Sequence, residues 1–313
     1  MAVNNSLQRA SQRRLGIGSY LTGDAVKQRI NQVIGGKDGQ RFISAVVSAV
    51  QTNPGLQECT NQSILSAALL GESLKLSPSP QLGQYYMVPY NDKERGKVAQ
   101  FQLGYKGYIQ LAIRSGQYKK LNVLAIKAGE LVRFDPLNEE IEVKLIEDEE
   151  EREAAETIGY YAMFEYTNGF HKSIYWSKKK MLAHADKFSQ AFSKDGCTIK
   201  TRYGEKKKAS YADFIAGNYD PKDAWMYSSF WYKDFDGMAY KTMLRQLISK
   251  WGIMSIDMVS ALDSDMAVIN DDGTRDYVDN DPDSGVIEVG PTTQPEETAA
   301  PNGDIQSALF GSE

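Results

Sequence analysis

Few residues in this chain have types and spacing suited to catalysis, and most of those fail on inspection. His171, His184, Cys59 and Cys197 are scattered singly, in no metal-ligand or redox spacing. No Ser-His or Cys-His nucleophile pair is suggested by their positions. Asp135-Pro136 followed by Glu142-Val143-Lys144 has the residue types of a metal-dependent nuclease, carboxylates for magnesium and a lysine for transition-state charge. The gap is short, however, and the strand alternation around it is ordinary. There is no GxxxxGK[ST] loop, and GYKG and GIGS do not fit a dinucleotide fingerprint. The acidic run Glu147–Glu151 lacks the spaced ligands and central glycine of a calcium loop. The expectation is a protein that is not an enzyme, with no catalytic residue, metal or cofactor.

What remains is cationic. Lys106, Gln110 and Arg114 stand four apart, so on a helix they share one side. Taken alone that stripe is either a solvated helix face or a phosphate track, cations neutralising charge and glutamine donating a hydrogen bond. Lys119-Lys120, Lys178-Lys179-Lys180 and Lys206-Lys207-Lys208 are further basic clusters, the last with Tyr203 and Tyr211 beside it. Lys241, Arg245 and Ser249 form a second stripe. Aromatics beside such clusters can stack on bases without reading their identity, but Trp225, Phe230, Trp231 and Trp251 read first as core packing. With no zinc-finger, homeodomain or RNP signature, sequence-specific readout is not expected.

The elements that must position these residues follow from periodicity. Gln84–Tyr90 and Lys97–Gly104 flank a polar turn, which is a hairpin. The period then changes to helical over Tyr105–Ser115, and Gly116 can close that helix in the left-handed conformation. A strand Leu121–Lys127 follows, then a strand pair, Leu131–Phe134 and Ile141–Ile146. Thr157–Thr167 and Phe170–Trp176 are joined by Asn168-Gly169, a strong hairpin signal. Helices are expected at Ala25–Ile34, Gln40–Thr52, Asn61–Leu74 behind a Thr60 cap, Lys178–Phe188 behind Ser177, and Gly237–Trp251. Residues 189–219 support no assignment.

The net charge of −5 conceals a segregation. From Ile256 to Glu313 fourteen acids face one base, Arg275, which leaves +8 on residues 1–255. A basic body with an acidic tail points to a polyanionic partner. The expected organisation is a flexible basic arm over 1–24, a binding and oligomerisation domain over 25–260, and a disordered acidic tail over 261–313. Ile305, Leu309 and Phe310 make 304–313 either a partner motif or an inert solubilising end. No apolar run is long enough for a membrane, and two isolated thiols fit a reducing cytoplasm.

Three blocks, LKLSPSPQLGQYYMVP at 74–89, LGYKGYIQLAIRSG at 103–116 and MAYKTMLRQLISKW at 238–251, resemble in order and spacing the RecT family of phage single-strand annealing recombinases. The resemblance spans roughly residues 40–255. It implies an α+β fold, a curved antiparallel sheet of hairpins backed by helices. It implies ATP-independent binding of single-stranded DNA and annealing of complementary strands in phage recombination, as a ring or helical filament. The implied partners are single-stranded and annealed duplex DNA, further copies of the chain, and a phage exonuclease or host single-strand-binding protein. The family's basic positions fall on Lys106, Arg114, Lys241 and Arg245. Gln110, Lys119, Lys120, Lys206, Lys207 and Lys208 join the expected DNA site on chemistry alone. A proline common after the final helix is replaced by Gly252. The alternatives are a passive single-strand-binding protein and, more remotely, the nuclease.

Overall fold

The structure, a computed structural model, describes residues 16–276 apart from positions 93, 139, 190, 202 and 203. Most of the acidic tail, including 304–313, and the first part of the basic arm lie outside the described residues.

Five helices open the fold: α1 (Ile17–Leu21), α2 (Asp24–Ile34), α3 (Gly36–Thr52), α4 (Pro54–Gln57) and α5 (Asn61–Ser73). Gly35, at φ +86°, breaks α2 from α3 in a conformation that costs glycine little. Thr60 caps α5 by accepting from the Ser63 N–H. Residues 16–24 are not a free arm. Leu21 is fully buried, Ile17 and Tyr20 pack against the same core, and the Tyr20 hydroxyl donates to Gln62, so these side chains tie the stretch down.

The antiparallel hairpin β1 (Tyr85–Asp92) and β2 (Gly96–Leu103) leads into α6 (Tyr105–Arg114). Then come β3 (Tyr118–Lys127), the hairpin β4 (Leu131–Asp135) and β5 (Glu140–Val143), the short α7 (Glu149–Ala154), β6 (Thr157–Tyr166), β7 (His171–Ser177) and α8 (Lys178–Phe188). Strands β3, β6 and β7 make a three-stranded antiparallel sheet with β6 in the centre. The unassigned stretch holds the hairpin β8 (Cys197–Thr201) and β9 (Gly204–Lys208), then α9 (Tyr211–Ile215). A 3-10 turn over Pro221–Tyr227 and α10 (Phe230–Lys233) carry the aromatic run into α11 (Phe235–Trp251), capped by Asp234. The strands are thus antiparallel and backed by helices, the α+β arrangement expected.

Two cores share α11. Leu244 and Ile248 face the first, built from α1–α5, the β1–β2 hairpin and α6. Met243 and Leu247 face the second, where Tyr160, Ala162 and Phe164 of β6 meet α8 and the aromatics Phe192, Tyr227, Trp231 and Tyr232. A helix covered on two sides has little free surface, and this decides the fate of its cations.

The folded chain also runs past the boundary expected at 260. Helix α12 (Ile256–Ser264) and the strands β10 (Val268–Ile269) and β11 (Arg275–Asp276) follow α11. Phe101 exchanges backbone hydrogen bonds with this segment, its N–H donating to Ala267 and its carbonyl accepting from Met266, both at 2.9 Å. Ala267 and Val268 are buried. Three apolar residues in an acidic stretch are too few to lift the local composition, but β2 offers them an edge to pair with.

Candidate nucleic-acid interface

The glycines of GYKG explain how the α6 stripe is placed. A Cβ on Gly104 would lie 2.1 Å from the Gly83 carbonyl oxygen, and one on Gly107 would lie 2.2 Å from that of Gln84. The start of β1 therefore lies against the first turn of α6, backbone to backbone. The aliphatic stem of Lys106 runs beside Gly83. Lys106, Gln110 and Arg114 are all exposed on one side of the helix. Arg114 is partly committed: it donates to the Leu74 carbonyl at 2.6 Å and so helps satisfy the end of α5. Lys106 has no carboxylate partner among the described residues.

The second stripe is not a surface feature. Lys241 is 8% exposed, and its Nζ lies 2.9 Å from Asp265 Oδ1. Arg245 reaches Asp265 Oδ2 at 2.8 Å, and Asp265 also accepts from the Leu103 N–H at 2.9 Å. Lys241 is a structural cation, paired inside the protein, and it is withdrawn from the expected DNA site. Arg245 is half-exposed and keeps an outward side.

The Lys206–Lys208 cluster is divided by strand alternation. Lys206 pairs with Asp223. Lys208, on the same side of β9, is buried: its Nζ donates to the Ala191 carbonyl at 2.8 Å and lies 4.6 Å from the Tyr232 ring centre. Burial pushes its pKa down to about 8. Lys208 is thus removed from the site, and Lys207, between them, is the exposed member. Lys119 and Lys120 are exposed but both pair with Glu165.

A denser cationic surface surrounds Lys180, which the expected site did not include. Trp176, Lys180, His184 and Phe188 form a row at four-residue spacing from the end of β7 along α8. Lys180 Nζ sits 4.3 Å above the Trp176 ring, and His184 lies 5.3 Å from Trp176 and 4.6 Å from Phe188. On the same side of the edge strand, Lys172 Nζ stands 3.7 Å over the Trp251 ring at the end of α11. Burial, together with the neighbouring Lys250, lowers the Lys180 pKa. Burial, Lys180, Arg245 and Lys187 in turn lower that of His184. Lys180 and His184 are thus each felt by neighbouring cations. Lys180, Lys187 and Lys250 have no carboxylate partner among the described residues.

The expectation that the tryptophans are core residues holds for Trp231 but not for Trp251 and Trp225, which are 48% and 47% exposed; Phe230 is also exposed. Beyond the Lys178–Lys180 cluster, the sequence carried a signal for this surface in the W-x3-K-x3-H-x3-F spacing, hidden because Ser177 divides it between a strand and a helix. Asp135 and Glu142, weighed as metal ligands, are not brought into a cluster. The Asp135 carboxylate accepts from the Leu137 and Asn138 N–H groups and the Asn138 amide, forming a turn. No group of three or more metal-ligating side chains occurs among the described residues. No described helix is long and apolar enough to cross a membrane.

Fold and surface together define an α+β protein that presents cations and aromatics side by side on a helix-backed antiparallel sheet. The RecT family model matches residues 40–282. Over 284 residues the chain is 37% identical to the uncharacterized protein YqaK of Bacillus subtilis (strain 168), covering 90% of this chain and 82% of that one. Over 133 residues it is 32% identical to Protein RecT of Escherichia coli (strain K12), covering 42% of this chain and 48% of that one. The chain belongs to the RecT family, a membership that implies single-strand annealing in recombination.

Proposed function

We propose that this chain binds single-stranded DNA by its phosphates and anneals it to a complementary strand without ATP, working as a homo-oligomeric ring or filament. The observation that carries the reading is the β7–α8–α11 surface, where Lys180, Lys187 and Lys250, without carboxylate partners among the described residues, stand beside the half-buried Trp176 and the exposed Phe188 and Trp251. Annealing needs a strand held by its backbone with base edges free to test a partner. Lys172, Lys180, Arg245 and Lys250 would take phosphates, and Trp176, Phe188 and Trp251 would offer stacking faces indifferent to base identity. Lys106, Gln110 and Arg114 of α6 would extend the track, and Lys119, Lys120, Lys206 and Lys207 would add weaker positive charge. Base pairing supplies the specificity, so the protein needs no base-reading side chains. The setting is phage recombination in the bacterial cytoplasm, with an exonuclease or host single-strand-binding protein as partner.

The test is strand pairing between two dye-labelled complementary oligonucleotides, without nucleotide or magnesium. Pairing faster than the spontaneous rate is expected. Tight binding with no acceleration would leave a passive single-strand-binding protein, and magnesium-dependent cleavage abolished by Glu142→Ala would establish a nuclease.

A further inference from the structure

The β4–β5 hairpin has features that a DNA track would not select. It opens an acidic region: Glu139–Glu156 holds ten acids against Lys144 and Arg152. Its root is fixed by Glu130, fully buried, which accepts from the Lys127 N–H at 2.7 Å, the Ile146 N–H at 3.2 Å and Arg152 Nε at 2.6 Å. Burial opposes ionisation of that carboxyl, but these donors outweigh it and hold its pKa below the usual range. The tip is fixed by the Asp135 turn. Phe134 leans on Tyr175 of β7, ring centres 5.0 Å apart. On this rigid mount Leu137 is 88% exposed. A two-stranded hairpin is marginal alone, and ordering one in order to hold a leucine in water is a cost without return in the isolated chain.

A surface of opposite character lies at the other edge of the sheet. Between α6 and the edge strand β3 is a depression of about 470 Å³, walled by Ile109, Ile113, Leu121 and Met163 and rimmed by Lys119 and Lys120. Those two lysines share one carboxylate, Glu165, so the rim keeps a positive excess.

We infer that the hairpin of one copy docks in the α6–β3 depression of the next, with Leu137 on the apolar wall and Glu140 and Glu142 beside Lys119 and Lys120. The occupant is a second copy because one chain carries both halves, with complementary charge, and Leu137 is not covered by the described residues of its own chain. Knob and hole are different surfaces, so the contact is heterologous and each copy still offers a free half at either end. Such a contact propagates into a ring or a filament. The inference rests on the oligomeric part of the proposed function and supplies the surfaces that would build it. It also transfers Lys119 and Lys120 from the DNA track to the subunit contact.

The experiment uses the full chain with Leu137→Asp or Ile113→Asp, followed by sedimentation velocity with and without a long oligothymidylate. The wild type is expected to assemble. Each variant is expected to need roughly tenfold or more higher concentration, from the loss of one buried apolar side chain. An equimolar mixture of the two variants contains one intact knob and one intact hole, and is expected to give a 1:1 pair that cannot extend. Thermal unfolding and binding of an oligonucleotide of about ten nucleotides, within one site's reach, should match the wild type. Variants that assemble like the wild type would overturn the docking and leave the DNA reading standing. Dispersed variants whose mixture gives no pair would overturn the head-to-tail geometry. A wild type that is monomeric with and without DNA would overturn both the docking and the oligomeric reading, while strand-pairing activity would be judged separately.

Discussion

Replacing Lys180 and Lys250 together by alanine separates binding from folding on the proposed surface. Both lack a carboxylate partner among the described residues, and Lys250 lowers the pKa of Lys180. Removing them relieves a repulsion and forfeits the contact of Lys180 with Trp176, worth about 0.5–1 kcal/mol at a partly exposed site. Stability should therefore change by no more than about 1 kcal/mol in urea unfolding. The effect on DNA is of another kind. Each phosphate contact on a single strand adds about 0.7 to the slope of log affinity against log salt. Losing two should flatten that slope by about 1.4. Between about 50 and 200 mM salt, a fourfold range, the variant's affinity deficit should then shrink by about sevenfold. Fluorescence anisotropy with a labelled oligothymidylate across that range reads it directly. An unchanged slope in a variant of wild-type stability would remove this surface from the DNA track. A stability loss above about 3 kcal/mol would show that the two lysines are structural, as Lys241 is.

The other expectations are distinct in kind. Trp251→Ala should weaken single-strand binding by about 1–3 kcal/mol, the worth of one stacked base, with the salt slope unchanged, because no phosphate contact is removed. Its neighbours keep their backbone partner, since Tyr166 donates to the Trp251 carbonyl and not to the ring. His184 should make DNA binding tighten as pH falls. Its pKa in the free protein lies below 6.5 because of burial and nearby cations, nearby phosphates would raise it, and binding would then take up a proton. The free protein should move the other way: the unfolded chain binds that proton more readily, so stability is fully present above about pH 6.5 and declines as pH falls below it. His184→Gln should abolish both trends in parallel titrations. Asp265→Asn should cost about 3–4 kcal/mol in urea unfolding, since it leaves Lys241 buried without its counter-charge while the new amide can still accept from Leu103. Ending the chain after Asp276 should leave DNA affinity equal or higher by removing acidic residues. Ending it after Asp263 should destabilise the fold, because Asp265 and the Ala267 pairing are lost.

Local elements were readable because local rules governed them. Thr60 and Ser177 cap the helices that their positions announced. Gly116 closes α6 at φ +69°, and Asn168-Gly169 joins β6 to β7. The segment 189–219 supports no assignment from sequence because its short strands and turns are held by long-range contacts. Tyr232 accepts from the Ser193 N–H, and Lys208 donates across to Ala191. The boundary expected at 260 falls short of the folded chain for the same reason: Asp265 looks like one more acid in an acidic stretch until its three partners on β2 and α11 are seen.

By itself the sequence determined the longer helices and most of the hairpins, the cationic character of the body and the blocks that place the chain in the RecT family. Each depends on residues close together along the chain. Only the tertiary structure decided which cations face water. Lys106 and Arg245 keep an exposed side, while Lys241 and Lys208 turn inward to Asp265 and to an aromatic nest. Trp176, Lys180, His184, Lys172 and Trp251 become one surface only when β7, α8 and α11 pack together. The physical reason is that periodicity assigns a side chain to a side of its own helix or strand. What covers that side is set by elements distant in sequence, and for α11, packed between two cores, even a perfect stripe could not reveal it.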